Sequence, residues 1–158
     1  MPMRLLGVLG IAVGIALGIA APAIADPVKP YPDLSAYTKL DWMGFQAEDN
    51  PGVWFSTPTG LNCGIWTDGS YGCNGALPGG GNQVAWFPGD DAVHVDATDQ
   101  PAFVAGVAHK LLPPKSYVVY RGVKCGVTQG NDLYCSSSSV HDFMVTPTKI
   151  FIEGQQRG

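Results

Sequence analysis

The chain has 158 residues, with 9 Lys or Arg against 13 Asp or Glu and a formal net charge of −4. That length suits one domain with a core of its own, and the lack of any Lys/Arg run excludes nucleic acid and anionic lipid as expected partners. Charged residues make up only 14% of the chain, while Gly (21) and Pro (13) are abundant, the composition of many turns between short strands.

The N-terminus carries one basic residue, Arg4, then an apolar run from Leu5 to Ala21, Pro22 and the small-x-small triplet Ala23-Ile24-Ala25. This pattern predicts a secretory signal peptide over residues 1–25, cleaved before Asp26; the apolar run is short for a membrane span. No cysteine follows the run, so lipid attachment at the cleavage site is excluded. Removing 25 residues, Arg4 among them, leaves a mature chain of 133 residues with a net charge of −5. The expected location is extracellular or in the cell envelope, with no membrane span after cleavage.

Residues 26–52 form an N-terminal extended or helical segment, read as one globular unit with the β domain over 53–158. It begins extended and proline-punctuated, and Asp33 is placed to cap a short helix from Leu34 to about Leu40. Residues 48–52 (EDNPG) are a turn, and 53–57 (VWFST) read as a strand. After the stretch GLNCGIWTDGSYGC (60–73) comes a glycine-rich loop and a strand from Gln83 to Phe87. An acidic loop surrounds a strand expected at Ala92–Val95. The segment FVAGVAHKLL (103–112) fits either a short helix or a strand, with Gly106 favouring the strand. Strands are expected over 116–120 (SYVVY), 141–146 (HDFMVT) and 149–153 (KIFIE).

The stretch 60–73 returns as GVKCGVTQGNDLYC (122–135), and the two copies use all four cysteines. No other repeat is legible. If Cys63 lies opposite Cys73 in a hairpin, Leu61, Cys63, Ile65, Tyr71 and Cys73 share one face. Asn62, Gly64, Trp66, Ser70, Gly72 and Asn74 share the other. With Cys125 opposite Cys135, Val123, Cys125, Val127, Leu133 and Cys135 fall together. A one-residue slip would scramble both faces. This register leaves the three-residue loops Thr67-Asp68-Gly69 and Gln129-Gly130-Asn131. Their third position wants a left-handed residue, which Gly and Asn tolerate. Four cysteines allow three connectivities, and these two signals select Cys63–Cys73 and Cys125–Cys135. Spacings of ten residues without a paired His do not match a zinc site.

The opening VWFSTPTGLNCGI resembles the F-x-[ST]-P-[ST]-G-x-x-C start of a group of small exported bacterial domains of unknown function, common in actinobacteria including mycobacteria. The close, GVKCGVTQGNDLYCSSSSVHDFMVTPTKIFI, is similar to that group's Cys–turn–Cys and His-Gly-Phe ending, with Asp142 where Gly is usual. The likeness covers residues 53–153 and is weak in the middle. It implies a disulfide-braced all-β fold and no particular activity.

Several groups invite a chemical reading. Ser136–Ser139 beside His141 and Asp142 have the composition of a nucleophile, base and orienter. Adjacent strand residues point to opposite faces, however, and no Gly-x-Ser-x-Gly elbow is present. Asp90, Asp91, His94, Asp96 and Asp99 have the chemistry of a cation or acid–base site, but not the spacing of an EF-hand loop. The run Pro78 to Asn82 lacks the Gly-Lys-Ser/Thr of a phosphate loop. No metal, cofactor or catalytic residue is therefore expected. Trp54, Trp66 and Trp86 are the candidate binding residues, suited to stacking on a sugar ring or an apolar partner. For Trp66 the structural alternative is to cover the slot left by Gly64 and Gly72 on its own face.

The expectation is a small all-β, disulfide-braced antiparallel barrel or sandwich with a short N-terminal helix. Functionally it is a secreted or envelope-associated non-catalytic module for an unidentified ligand, with a cell-wall or host component as partner class. The alternative is a small secreted hydrolase using His141 or the acidic loop 90–99.

Overall fold

The computed structural model describes residues 31–138 and 141–153; the expected signal peptide and Ser139 lie outside them. The strands are β1 (Thr38–Lys39), β2 (Val53–Ser56), β3 (Asn62–Ile65), β4 (Tyr71–Asn74), β5 (Gln83–Trp86) and β6 (His94–Asp96) in the first half. The second half contains β7 (Lys110–Leu111), β8 (Ser116–Tyr120), β9 (Val123–Val127), β10 (Leu133–Ser137), β11 (Phe143–Val145) and β12 (Ile150–Ile152). They form two open six-stranded sheets: sheet I in the order β7-β2-β3-β4-β5-β6, and sheet II in the order β1-β8-β9-β10-β11-β12. Neither closes into a barrel. Both are mixed rather than purely antiparallel, because β1 runs parallel to β8 and β7 parallel to β2.

The two hairpins have the register that their faces and turns require. Cys63 pairs with Cys73 and Cys125 with Cys135, and each pair is a disulfide. Gly69 (φ 90°) and Asn131 (φ 69°) hold the left-handed third positions of the turns. The two disulfides point to an oxidising, non-cytoplasmic compartment.

The inward faces meet. Val53, Phe55, Cys63, Ile65, Tyr71, Cys73 and Val84 of sheet I share one buried cluster with Val118, Cys125, Val127, Leu133, Cys135 and Phe143 of sheet II. The rings of Tyr71 and Phe143 stack between the sheets with centroids 6.0 Å apart. Phe45, from a 3-10 turn over Trp42–Phe45, joins the same cluster, so part of the N-terminal segment is built into the core.

The expected helix from Leu34 to about Leu40 does not form. Asp33 caps as expected, its carboxylate accepting from Ser35 N at 2.9 Å, but only one 3-10 turn follows, Leu34–Ala36. Thr38 and Lys39 instead fill the edge of sheet II beside Ser116 and Tyr117. A helix of six or seven residues repays its nucleation cost poorly, whereas an open sheet edge supplies partners at once. The segment 103–112 is likewise irregular except for β7, and the strand expected at Ala92–Val95 is β6, which starts two residues later and ends one residue later.

The repeat extends well beyond the hairpins. Each half opens with a short strand that leaves its own half: β1 joins the edge of the second half's sheet, and β7 joins the edge of the first half's. Cys63 and Cys125 occupy equivalent places, as do the neighbouring pairs Trp54–Gly64 and Tyr117–Gly126. The residues just before each arm also cover the outer face of the sheet that the arm joins. Leu34 sits over Gly126, where an added Cβ would come within 2.9 Å of Leu34 Cδ1. Phe103 sits over Gly72, where it would come within 2.7 Å of Phe103 Cε2. The two halves exchange N-terminal arms.

Candidate functional site

The outer face of sheet I is built around a lack of side chains. Gly64, Gly72 and Ala85 are cross-strand neighbours on β3, β4 and β5 and leave a trough. Trp66 was expected to face solvent or to cover this slot. It does neither fully: a strap over Pro101–Ala105 crosses the trough and drops the fully buried Phe103 into it. Ser70 and Asn74, on that same outer face, are buried.

The strap lacks regular structure, so side chains satisfy its backbone. Gln83 Oε1 accepts from Ala102 N at 3.0 Å, and Asn74 Oδ1 accepts from Phe103 N at 2.7 Å. Asn74 Nδ2 donates to Gln83 Oε1, locking the two buried amides together. Farther on, Asn50 Nδ2 donates to Ala105 O at 2.8 Å, and His109 Nε2 accepts from Ala105 N at 3.0 Å. His109 Nδ1 then meets Phe55 O at 3.1 Å, an arrangement that fixes the Nδ1–H tautomer.

The three candidate tryptophans have different roles. Trp54 is buried, donates to Asn50 O at 3.0 Å and packs edge-on against His109. Trp86 donates to Asp90 O at 3.1 Å and lies under the His141 ring, with centroids 5.1 Å apart. Trp66 is half-exposed and packs on Phe103 and Phe87 at 5.7 and 6.0 Å. Its Nε1 is closed off from solvent with no hydrogen-bond partner, and so is the Ser70 hydroxyl. Trp66 and Trp54 wall a surface cleft of about 330 Å³, with Asn50, Thr67, Asp68 and Val104 around it.

Beside this cleft, across Phe87, the acidic loop forms a clamp. His94 Nδ1 meets Asp96 Oδ2 at 2.6 Å, and His94 Nε2 meets Asp90 Oδ2 at 2.9 Å. Partial burial opposes protonation of His94, but its bonds to Asp90 and Asp96 outweigh that and raise its pKa above the ordinary imidazole value. The Phe87 N–H holds the Asp90 carboxyl below its usual range, against partial burial and with help from His94 and the nearby His141. Asp91 and Asp99 are not part of the clamp. Among the described residues no group of three or more His, Cys, Asp or Glu is arranged to hold a metal ion.

His141 and Asp142 diverge, as adjacent strand-type residues should. The His141 ring lies on Trp86, and its carbonyl accepts from the Tyr71 hydroxyl, whose pKa burial pushes up to about 12. Asp142 Oδ2 instead accepts from the Tyr134 hydroxyl at 2.8 Å, beside the Leu34 cluster that covers sheet II. Ser136 and Ser137 lie in β10 and Ser138 in the turn that follows it. The residues that sequence reasoning missed are Phe103, Asn74 and Gln83. The one signal for them was the Gly/Gly/Ala row, which becomes visible only once β5 is registered against β4.

No protein-family model, curated protein or solved structure matches this chain.

Proposed function

We propose that the protein is an exported, non-catalytic binding module of the small actinobacterial type that its cysteine motifs resemble, acting in the cell envelope or outside the cell. The observation that carries this reading is the contrast between two of the three histidines, His94 and His109, and the Trp66 cleft. His94 and His109 have both ring nitrogens committed, to carboxylates and to backbone respectively, which leaves neither an open nitrogen to move a substrate proton. At the cleft, a half-exposed indole stands beside an exposed threonine and carboxylate on a turn held by a disulfide hairpin. Both bridges support an extracellular setting.

Affinity capture with the mature protein from cell-wall and host fractions tests this. Enrichment of a component by the parent protein, lost with Trp66→Leu at unchanged thermal midpoint, is the expected result. Equal capture by both would remove the cleft from the reading. The hydrolase reading keeps one specific observation, the convergence of His94, Asp90 and Asp96 with His141 close by. Turnover of chromogenic ester or glycoside substrates that His94→Ala abolishes would establish it instead.

A further inference from the structure

Charge is divided between the two halves. From Leu40 to His109 the chain contains eight carboxylates and no lysine or arginine. That stretch builds β2 to β6, the strap and the walls of the Trp66 cleft. The other described residues carry six Lys or Arg against four carboxylates. Lys110, on the β7 edge of sheet I, is turned onto the Phe45 ring, its ammonium 4.9 Å from the ring centroid. No cation lines the cleft.

The rim offers acceptors and few donors. Asp68 uses Oδ1 to take Ser70 N at 2.9 Å, and its Oδ2 has no hydrogen-bond partner among the described residues. Asn50 gives one Nδ2 hydrogen to Ala105 O, which leaves Oδ1 and a single N–H. Trp54 Nε1 is committed to Asn50 O, and Trp66 Nε1 is closed off. Besides the Asn50 N–H, the Thr67 hydroxyl is the one side-chain donor left on the rim, and it can also accept. A sugar presents acceptors as well as donors and would leave acceptors unmatched here. A guanidinium has five donors, no acceptor and a flat face that stacks on indole.

We propose that the Trp66–Asp68 cleft binds a guanidinium group, presented as an arginine side chain on a basic peptide segment of a partner. The guanidinium lies against the exposed part of the Trp66 indole and donates to Asp68 Oδ2, while the uncompensated carboxylates of residues 40–109 draw the basic segment toward this half. This rests on the binding-module reading and names the ligand class for its cleft.

Isothermal titration of the mature protein with acetyl-tetraarginine amide, acetyl-tetralysine amide and chitotetraose tests it, with acetylargininamide as the free small-molecule counterpart. Tetraarginine should bind more tightly than tetralysine, and binding should weaken as salt rises. Asp68→Asn keeps an oxygen for Ser70 N and so preserves the turn. It and Trp66→Leu should each weaken tetraarginine binding by about tenfold, the size of a partly desolvated cation–π or charge contact. Acetylargininamide should bind more weakly than the peptide; equal affinity would overturn the peptide source. No tetraarginine binding, or equal binding by parent and both variants, overturns the proposal. Chitotetraose binding that Trp66→Leu removes, with no arginine preference, also overturns it and leaves the binding-module reading intact.

Discussion

Single positions carry the geometry of sheet I. At Gly72 an added Cβ would come within 2.3 Å of Val84 O and 2.7 Å of Phe103 Cε2. Gly72→Ala must therefore either push Phe103 out of the trough or spread β4 from β5. A loss of at least ~2 kcal/mol in chemical denaturation is expected, the scale of overpacking a filled core. At Asn131, by contrast, the backbone is already left-handed. Asn131→Gly should be neutral or slightly stabilising, and Asn131→Val should cost at least ~1 kcal/mol, because a β-branched side chain clashes there. A valine variant with the parent's denaturation midpoint would refute the turn assignment. His94 has a folded pKa raised by Asp90 and Asp96. Its contribution is therefore complete below the unfolded imidazole value, about 6.5, and is lost as pH rises through the higher folded value. Asp90, held low, works in the opposite sense and loses its contribution only in acid. Thermal midpoints should thus fall from weakly acidic to alkaline pH, and His94→Gln should flatten that slope.

At the level of elements, a hairpin and a strap are held by different kinds of bond. Each hairpin closes locally through a bridge spanning ten residues. Replacing Cys63 and Cys73 together should leave Cys125–Cys135 intact on peptide mapping and lower stability by ~2–5 kcal/mol. The strap is held by Asn74 and Gln83, which lie opposite each other on β4 and β5. Asn74→Ala leaves the buried Phe103 N–H without its acceptor. It should cost ~1–3 kcal/mol and expose Trp66, seen as a red shift in emission; unchanged emission would mean that the strap stays in place without its anchor. This difference also sets what the sequence could reveal. Hairpin register was legible because alternation, loop length and cysteine spacing are local signals that agree. The strap was not, since its partners lie 19 and 29 residues away. The contest for the glycine slot went to Phe103 over Trp66 through those distant amides. A helix from Leu34 was read from a good cap, but the open edge of sheet II, formed by residues near 116, took Thr38 and Lys39 instead.

For the whole molecule, the exchanged arms are the connection that counts. They escaped notice in the sequence because the halves differ in spacing: 13 residues separate β1 from β2, but only four separate β7 from β8. Neither disulfide links the halves, since each is confined to one hairpin. Cleavage in the exposed stretch Gly106–Ala108 should leave two fragments that elute together under native conditions and separate only in denaturant. Each would still lend a strand to the other's sheet and share its core. Separation of the nicked fragments in plain buffer would refute that role for the arms.

The same exchange bears on the uneven charge. Two identical chains trading arms would be bound to symmetry: every acid on one sheet would reappear on its mate, and a partner would meet the same surface twice. A single chain that contains both halves is free of that constraint. Residues 40–109 can gather carboxylates and a tryptophan cleft while the lysines lie outside that stretch. The result is one carboxylate-rich half per molecule, and a single orientation in which to present its cleft.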